Sequence, residues 1–314
     1  MNYLKDYREG EKFVGTYLCK QKQILKTKAG KTYYSLTLQD KTGTADGKIW
    51  ELNNGIANFE PMDYIHCEGM VTSFQGNLQM NISRVRISDE GEYDPADYVP
   101  CTNKDVGEMF SRILKYVASV QNKYLRKILE MYFVENKEFV DAFKKHSAAK
   151  SVHHGFMGGL LEHTLSVTDM CQYFAEHYPM IHRDLLITAA LFHDMGKIQE
   201  ISDFPMNDYT DDGQLLGHIY IGARCMENAA AQIPGFPPKL KNELVHCILA
   251  HHGKMEFGSP KVPAIMEAMA LHMADNADAK LQTLTEVFTQ AGDNMGWLGF
   301  NRMFESNLRK TSEE

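Results

Sequence analysis

Residues 191–197 read Leu191-Phe192-His193-Asp194-Met195-Gly196-Lys197, and the pair at their centre, His193-Asp194, decides how the larger part of the chain is read. The run from Leu185 to Phe192 ahead of it is the longest apolar stretch, eight residues that include Thr188. It predicts a buried helix over 184–195, with Gly196 as the glycine that ends it. An imidazole and a carboxylate side by side at a helix end can both point into one site. The carboxylate can also bridge two cations, which an imidazole cannot do.

Outward from this pair, further donors stand at intervals: His163 before it, then His218, His251-His252 and Asp275. Helical periodicity predicts helices at about 158–177, 184–195, 218–232, 238–252 and 263–290, with Gly253 ending the fourth. Each donor falls at or near a helix end except Asp275, which lies within its helix. Helix ends in a bundle can converge on one pocket. His and Asp suit Mn²⁺, Fe²⁺ or Zn²⁺, and cysteine is absent from the series. A single helical histidine is usually a surface or satisfied core residue, but the ordered series on separate helices points to a divalent-metal site. Histidine is skewed to match: of 13, only His66 precedes residue 146.

The N-terminal part has a different period. From Lys12 to Ser88 short segments rich in β-branched and aromatic residues alternate, as in Leu36-Thr37-Leu38 and Val85-Arg86-Ile87. Turn signals at Ala29-Gly30, Lys41-Thr42-Gly43, Asn54-Gly55 and Gln75-Gly76-Asn77 separate them. About five strands without a long helix predict a small all-β barrel over 1–88. Residues 89–104, acidic and with two prolines, read as a linker. An all-α bundle over 105–300 and a polar, frayed tail over 301–314 follow. The abundant methionines, Met266, Met269 and Met273 among them, read as fillers of helix cores.

Charge divides along the same line. The 314-residue chain carries −8, yet residues 1–88 carry +3, leaving −11 for the remainder. Lys20, Lys22, Lys26, Lys28 and Lys31 form a run without an acid, a solvated hairpin or a phosphate-contacting surface. No apolar run approaches the roughly 18 residues of a membrane span. The charged N-terminus lacks the apolar core of a secretory signal, and the six scattered cysteines form no C-x-x-C pair. These features lead us to expect free thiols in a reducing cytoplasm.

The segments GGLLEHT (158–164), LFHDMGK (191–197), GH (217–218), LAHHG (249–253) and MADNADA (273–279) together resemble the HD-domain metal-dependent phosphohydrolases. The minimal site of that superfamily maps onto His163, His193, Asp194 and Asp275, and the extra His218, His251 and His252 resemble its two-metal versions. His193-Asp194-x-x-Lys197 matches a form in which the lysine contacts a phosphate. A barrel ahead of such a domain, with His153-His154-Gly155 before the GGLLEHT segment, is similar to the YhaM-type 3′–5′ exoribonucleases, whose N-terminal module is an OB-fold. YYSLTLQDKTGTADGKIW (33–50) reads like the paired strands and D-x-T-G turn of such modules.

The resemblance implies a metal-dependent 3′–5′ exonuclease that acts on single-stranded RNA, with DNA also open, and releases nucleoside monophosphates. Two cations per site are expected, Mn²⁺ favoured and Fe²⁺ or Zn²⁺ open. Bridged by Asp194, they would lower the pKa of a shared water for in-line attack on phosphorus, while Lys197 would stabilise charge on the phosphate oxygens. His154 reads either as a further phosphate contact or proton donor, or as a capping or buried structural residue. On the barrel, Tyr33, Tyr34, Trp50 and Phe74 with Lys26, Lys28 and Lys31 are candidates for stacking bases over a basic groove, about half of the aromatics facing inward. No membrane partner is expected, and a homo-oligomer is left open. Two other readings stand beside this one. One is a phosphohydrolase of nucleotides or cyclic dinucleotides, though HHGKMEFGSP (251–260) lacks the Gly-Tyr-Pro of the cyclic-dinucleotide variant. The other is a non-enzymatic nucleic-acid-binding factor.

Overall fold

A computed structural model describes residues 3–74, 77–150 and 154–312. The Gln75-Gly76 turn and His153 lie outside the described residues. The chain divides into two compact units, residues 1–101 with 204–206, and residues 102–203 with 207–314. The division falls inside the stretch 89–104.

The first unit is a closed five-stranded barrel of β1 (Lys12–Lys26), β2 (Thr32–Asp40), β3 (Gly43–Ile49), β4 (Tyr64–Phe74) and β5 (Asn77–Ile87), in the order β1-β2-β3-β5-β4. All pairings are antiparallel except β3 with β5, which is parallel and closes the barrel. Closure leaves no sheet edge to template pairing with another chain. The period of two sets the faces: Leu36 and Leu38 point into the core beside Ile49, Phe13 and Ile65, while Ser35 and Thr37 alternate outward. Each large side chain so buried contributes about 1.5–3 kcal/mol. The lysine run is divided. β1 continues through it to Lys26, and Lys22 folds back so that Nζ donates to the Phe59 carbonyl at 2.5 Å, over the rings of Phe59 and Tyr34. Lys26, Lys28 and Lys31 remain exposed.

The second unit is helical: α1 (Val106–Ser119), α2 (Lys123–Phe133), α3 (Lys137–Lys145), α4 (Gly159–His177), α5 (Arg183–Phe192), α6 (Lys197–Glu200), α7 (Asp211–Ala231), α8 (Pro238–Ala250) and α9 (Met266–Gln290). Side-chain caps start several of them, with Asp105, Asn122, Asn136 and Thr210 each accepting from a first-turn N–H. Each cap is worth about 1 kcal/mol. α5 is buried from Leu185 to Phe192, so it runs through the middle of the bundle and delivers the two residues that follow it into the interior. Among the described residues no helix is long and apolar enough to cross a membrane, and all six cysteines are free.

Four expectations change. α5 ends at Phe192, and Gly196 has the helical φ of −64°, so it is not a left-handed helix terminator. Its role is steric: a Cβ there would lie 2.1 Å from the His218 carbonyl oxygen. α7 starts at Asp211, earlier than expected, because Thr210 caps it at the Gly213 N–H, and it kinks at Gly217, φ 72°. Met266, Met269 and Met273 are 42%, 42% and 56% exposed and do not fill the core. They line the outer face of α9, while Ala268, Leu271, Ala274 and Asp278 take the inner one. The tail is not wholly frayed, since β6 (Phe300–Asn301) and β7 (Ser306–Asn307) pair antiparallel, with Asn301 accepting from the Met303 N–H in the turn.

Candidate metal centre

Asp194 follows α5 by two residues and is 2% exposed. Its two carboxylate oxygens face different groups of donors. Oδ2 lies 3.3 Å from His163 Nε2 and 3.4 Å from His193 Nε2. Asp275 Oδ1 completes this group at 3.2 Å from His163 Nε2 and 3.9 Å from His193 Nε2. Oδ1 lies 3.5 Å from His218 Nε2 and 3.6 Å from His251 Nε2. The ligand atoms of His218, His251 and His252 fall within 4.8 Å of one another, as do those of His163, His193 and Asp275. The chain around helices α4, α5, α7, α8 and α9 therefore gathers the other six residues of the predicted series about Asp194, His252 by way of His218 and His251.

Each imidazole is held from behind. His163 Nδ1 lies 2.7 Å from Asp278 Oδ2, and His218 Nδ1 lies 2.9 Å from Glu200 Oε1. His193, His251 and His252 each place Nδ1 2.7–2.8 Å from a backbone carbonyl, those of Ala190, Ile248 and Phe257. An acceptor at Nδ1 keeps the proton there and turns the Nε2 lone pair inward, the tautomer a metal ligand needs.

Burial pushes the Asp194 carboxyl up, but Lys197, His193 and His163 outweigh it and hold it well below the usual range. Asp275 is lowered in the same way, mainly by His163 and His193 working against burial. His163 is raised well above its ordinary value, because Asp194, Asp275 and Asp278 overcome the cost of burying its charge. Burial lowers His251, and burial with His251 beside it lowers His252 to about 4. Asp194, Asp275 and Asp278 thus all face His163, while burial disfavours charge on His251 and His252.

The donors fit divalent cations. Asp194 Oδ1 and the Nε2 atoms of His218 and His251 are buried without a hydrogen-bond partner. Such atoms are costly unless something satisfies them. The separations of 3.1–3.6 Å among ligand atoms suit atoms that each lie about 2.0–2.2 Å from a shared cation.

Lys197 opens α6, and its Nζ sits 2.7 Å from Asp194 Oδ2. Burial works against its charge, but Asp194 more than compensates and raises it. His154 is 2% exposed. Its Nε2 lies 3.0 Å from Asp278 Oδ2, on the Nδ1 side of the His163 ring. In that position His154 sits behind the carboxylate that holds His163. Sequence reading did not single out Glu200, nor the contact of Asp278 with His163. Asp278 sits three residues after Asp275 and so shares its helix face, and Glu200 stands in the same relation to Lys197.

On the barrel, Tyr33 and Trp50 stack at 4.6 Å between ring centroids, and Trp50 Nε1 donates to Asn81 Oδ1 at 3.0 Å. Trp50 is 40% and Phe74 61% exposed. Tyr34 instead packs on the core against Phe59, so of the four aromatics it is the one that turns inward. Lys31 pairs with Glu51 at 3.1 Å.

A family model described as the HD domain matches residues 160–280, the span that carries all seven donors. Across the longer chain, the 3′–5′ exoribonuclease YhaM of Geobacillus sp. (strain WCH70) is 33% identical over 257 residues, 81% of this chain and 78% of that protein. The chain belongs to the YhaM family. The YhaM relatives of Bacillus subtilis (strain 168) and Listeria innocua are each 32% identical, the first over 81% of both chains and the second over 90% of both. The fold of this YhaM-family chain is an N-terminal OB-fold barrel and a C-terminal HD-domain bundle, and the strand order given above makes the barrel an OB-fold. HD-domain chemistry depends on divalent metal, and the donor groups around Asp194 are where this chain can hold it.

Proposed function

We infer that the chain is a metal-dependent 3′–5′ exoribonuclease that removes nucleoside monophosphates from single-stranded RNA, with two divalent cations, Mn²⁺ favoured, on either side of Asp194. The observation that carries this reading is the Asp194 carboxylate, each oxygen facing its own group of inward-turned donors. The exoribonuclease activity named for the YhaM relatives, to which the chain is similar over 81–90% of its length, supports the polarity and the RNA substrate. When bound, a divalent pair supplies a water acidic enough to ionise near neutral pH and positive charge for the phosphate oxygens.

This chain's own residues do the rest. Asp194, Asp275 and the inward Nε2 atoms fix where positive charge sits. Lys197 keeps its proton beside Asp194 and, as an ammonium that cannot ligate a cation, offers a point charge to a phosphate oxygen. Half-buried Tyr33 and exposed Trp50 form a stacked pair, and Lys26, Lys28 and Phe74 add charge and a further ring for a single strand. A cytoplasmic enzyme with reduced cysteines agrees with the six free thiols.

The test is incubation of 5′-labelled and 3′-labelled single-stranded RNA with Mn²⁺. A 5′ label should pass into a ladder of shortening strands, and a 3′ label should leave at once in a mononucleotide. The reverse pattern, or internal fragments, would refute the polarity. Unchanged hydrolysis after chelation would refute the metal dependence. A nucleotide or cyclic-dinucleotide hydrolase would leave both strands intact, as would a non-enzymatic binder.

A further inference from the structure

The histidines around Asp194 are not all held alike. Three rest on backbone carbonyls, but His163 and His218 rest on buried carboxylates, one in each donor group. The two carboxylates are built in different ways. Asp278, 8% exposed, reaches His163 Nδ1 with Oδ2 at 2.7 Å, and the same oxygen lies 3.0 Å from His154 Nε2, while the Ser166 hydroxyl donates to Oδ1. His154 is itself pinned. Its backbone is left-handed, φ 58°, and its N–H donates to Glu286 at 3.2 Å. A non-glycine residue held there costs energy, and such conformations persist where the surroundings over-determine them.

Glu200, also 8% exposed, takes both the ring Nδ1 and the backbone N–H of His218 on Oε1, each at 2.9 Å. The second contact exists because α7 kinks at Gly217, φ 72° and ψ 153°, just before His218.

We propose that Asp278 and Glu200 are positioning residues that each govern one cation site, Asp278 through His163 and Glu200 through His218, so that the two sites can be weakened separately. The inference rests on the two-cation reading above. A carboxylate behind a ligating imidazole fixes its tautomer and orientation and raises its basicity, and removing such a partner costs about 10- to 100-fold in metal affinity. A backbone carbonyl orients the ring without adding a negative charge. Each group therefore owns one ligand whose strength depends on a side chain: Asp278 contacts His163, and Glu200 contacts His218. His154 acts one step further out by holding Asp278.

The experiment is a Mn²⁺ titration of the full chain by calorimetry at constant pH, on wild type, Asp278→Asn, Glu200→Gln and the double variant, with thermal melts of each metal-free protein. The isosteric amides keep an acceptor oxygen and the packing. Asp278→Ala, which loses the acceptor as well, is measured beside them and should weaken its site further. Wild type should bind two Mn²⁺. Each single variant should keep one site near wild-type affinity and weaken the other at least tenfold, and the double variant should keep neither. A double variant that still retains one wild-type site would place both carboxylates on the same cation and overturn the inference. Single variants that weaken both sites equally, or neither, would overturn it as well. Metal-free melts should match wild type, and a loss of affinity that only follows a lowered melting temperature would mark a structural role instead. A wild type that binds a single Mn²⁺ would refute the two-cation reading itself.

Discussion

Gly196→Ala adds a single methyl group where the structure has no room for one beside the metal centre. The turn from α5 into α6 passes so close to α7 that a Cβ on residue 196 would stand 2.1 Å from the His218 carbonyl oxygen and 2.9 Å from the Gly222 nitrogen. Ordinary contacts begin near 3.4 Å, so the two segments have to separate by about 1 Å. Both neighbours are helical backbone, which cannot rotate away as a flexible side chain would. His218 rides on the displaced segment, and its Nε2 is one of the atoms aimed at Asp194 Oδ1. Overpacking of this kind costs about 1–3 kcal/mol, or about 2–12 °C in melting temperature for a unit of this size. A ligand misplaced by about 1 Å costs about 100-fold in rate. The assay pairs a thermal melt with single-turnover hydrolysis of a short single-stranded RNA at saturating Mn²⁺. A variant that melts within about 1 °C of wild type and turns over within about twofold would show that the close approach, and the reason for a glycine there, is wrong.

Three further outcomes follow from particular contacts. Lys197→Ala should lower the single-turnover rate about 30- to 1000-fold, the cost of about 2–4 kcal/mol for one lost charge-assisted contact in the transition state. Bound Mn²⁺ should not fall, since an ammonium cannot ligate a cation; a rate loss that tracks metal loss would make the lysine part of the metal site. Replacing Tyr33 and Trp50 by alanine should weaken binding of a long single strand by about 1–3 kcal/mol per stacked base, about 5- to 150-fold each, with hydrolysis of a small phosphodiester unchanged; equal loss on both substrates would contradict a substrate platform. Burial, with Lys261 nearby, holds His246 below its ordinary value of 6.5, and its neutral Nε2 accepts the Ala264 N–H. The unfolded chain therefore binds that proton first, and the contribution of His246 to stability, complete at pH 7.5, should decline as pH falls below about 6.5; melts of wild type and His246→Gln at pH 5.5 and 7.5 check this, and an equal pH dependence in both would refute it.

What the sequence could show depended on whether the deciding neighbour was local. Alternation placed Leu36 and Leu38 inside the barrel because faces in a strand follow a period of two. The same rule could not show that Lys22 bends to the Phe59 carbonyl, 37 residues away. The seven donors were legible because the His-Asp pair follows a visibly apolar helix and His163, His218, His251-His252 and Asp275 recur in order on the separate helices around it. The contacts behind them were not, since nothing local shows that Asp278 meets His163 or that Glu200 meets His218 until folding closes α4 over α9 and α6 against α7. Three methionines at helical spacing read as core, but alanines on the opposite face of α9 let the helices approach closely and left Met266, Met269 and Met273 outside. Gly196 was read from a helix-ending habit, whereas its reason is a neighbour 22 residues on.

The central claim is that Asp194 joins two cations, and electron paramagnetic resonance of the Mn²⁺-loaded protein tests it most directly. Two Mn²⁺ ions sharing one carboxylate lie about 3.5–4 Å apart and couple magnetically. Wild type titrated to two equivalents should give the spectrum of a coupled pair. Asp194→Asn, with its fold intact by circular dichroism and its hydrolysis of RNA abolished, should not. Two uncoupled six-line signals from the wild type, or a coupled pair with near-normal turnover in Asp194→Asn, would contradict the account.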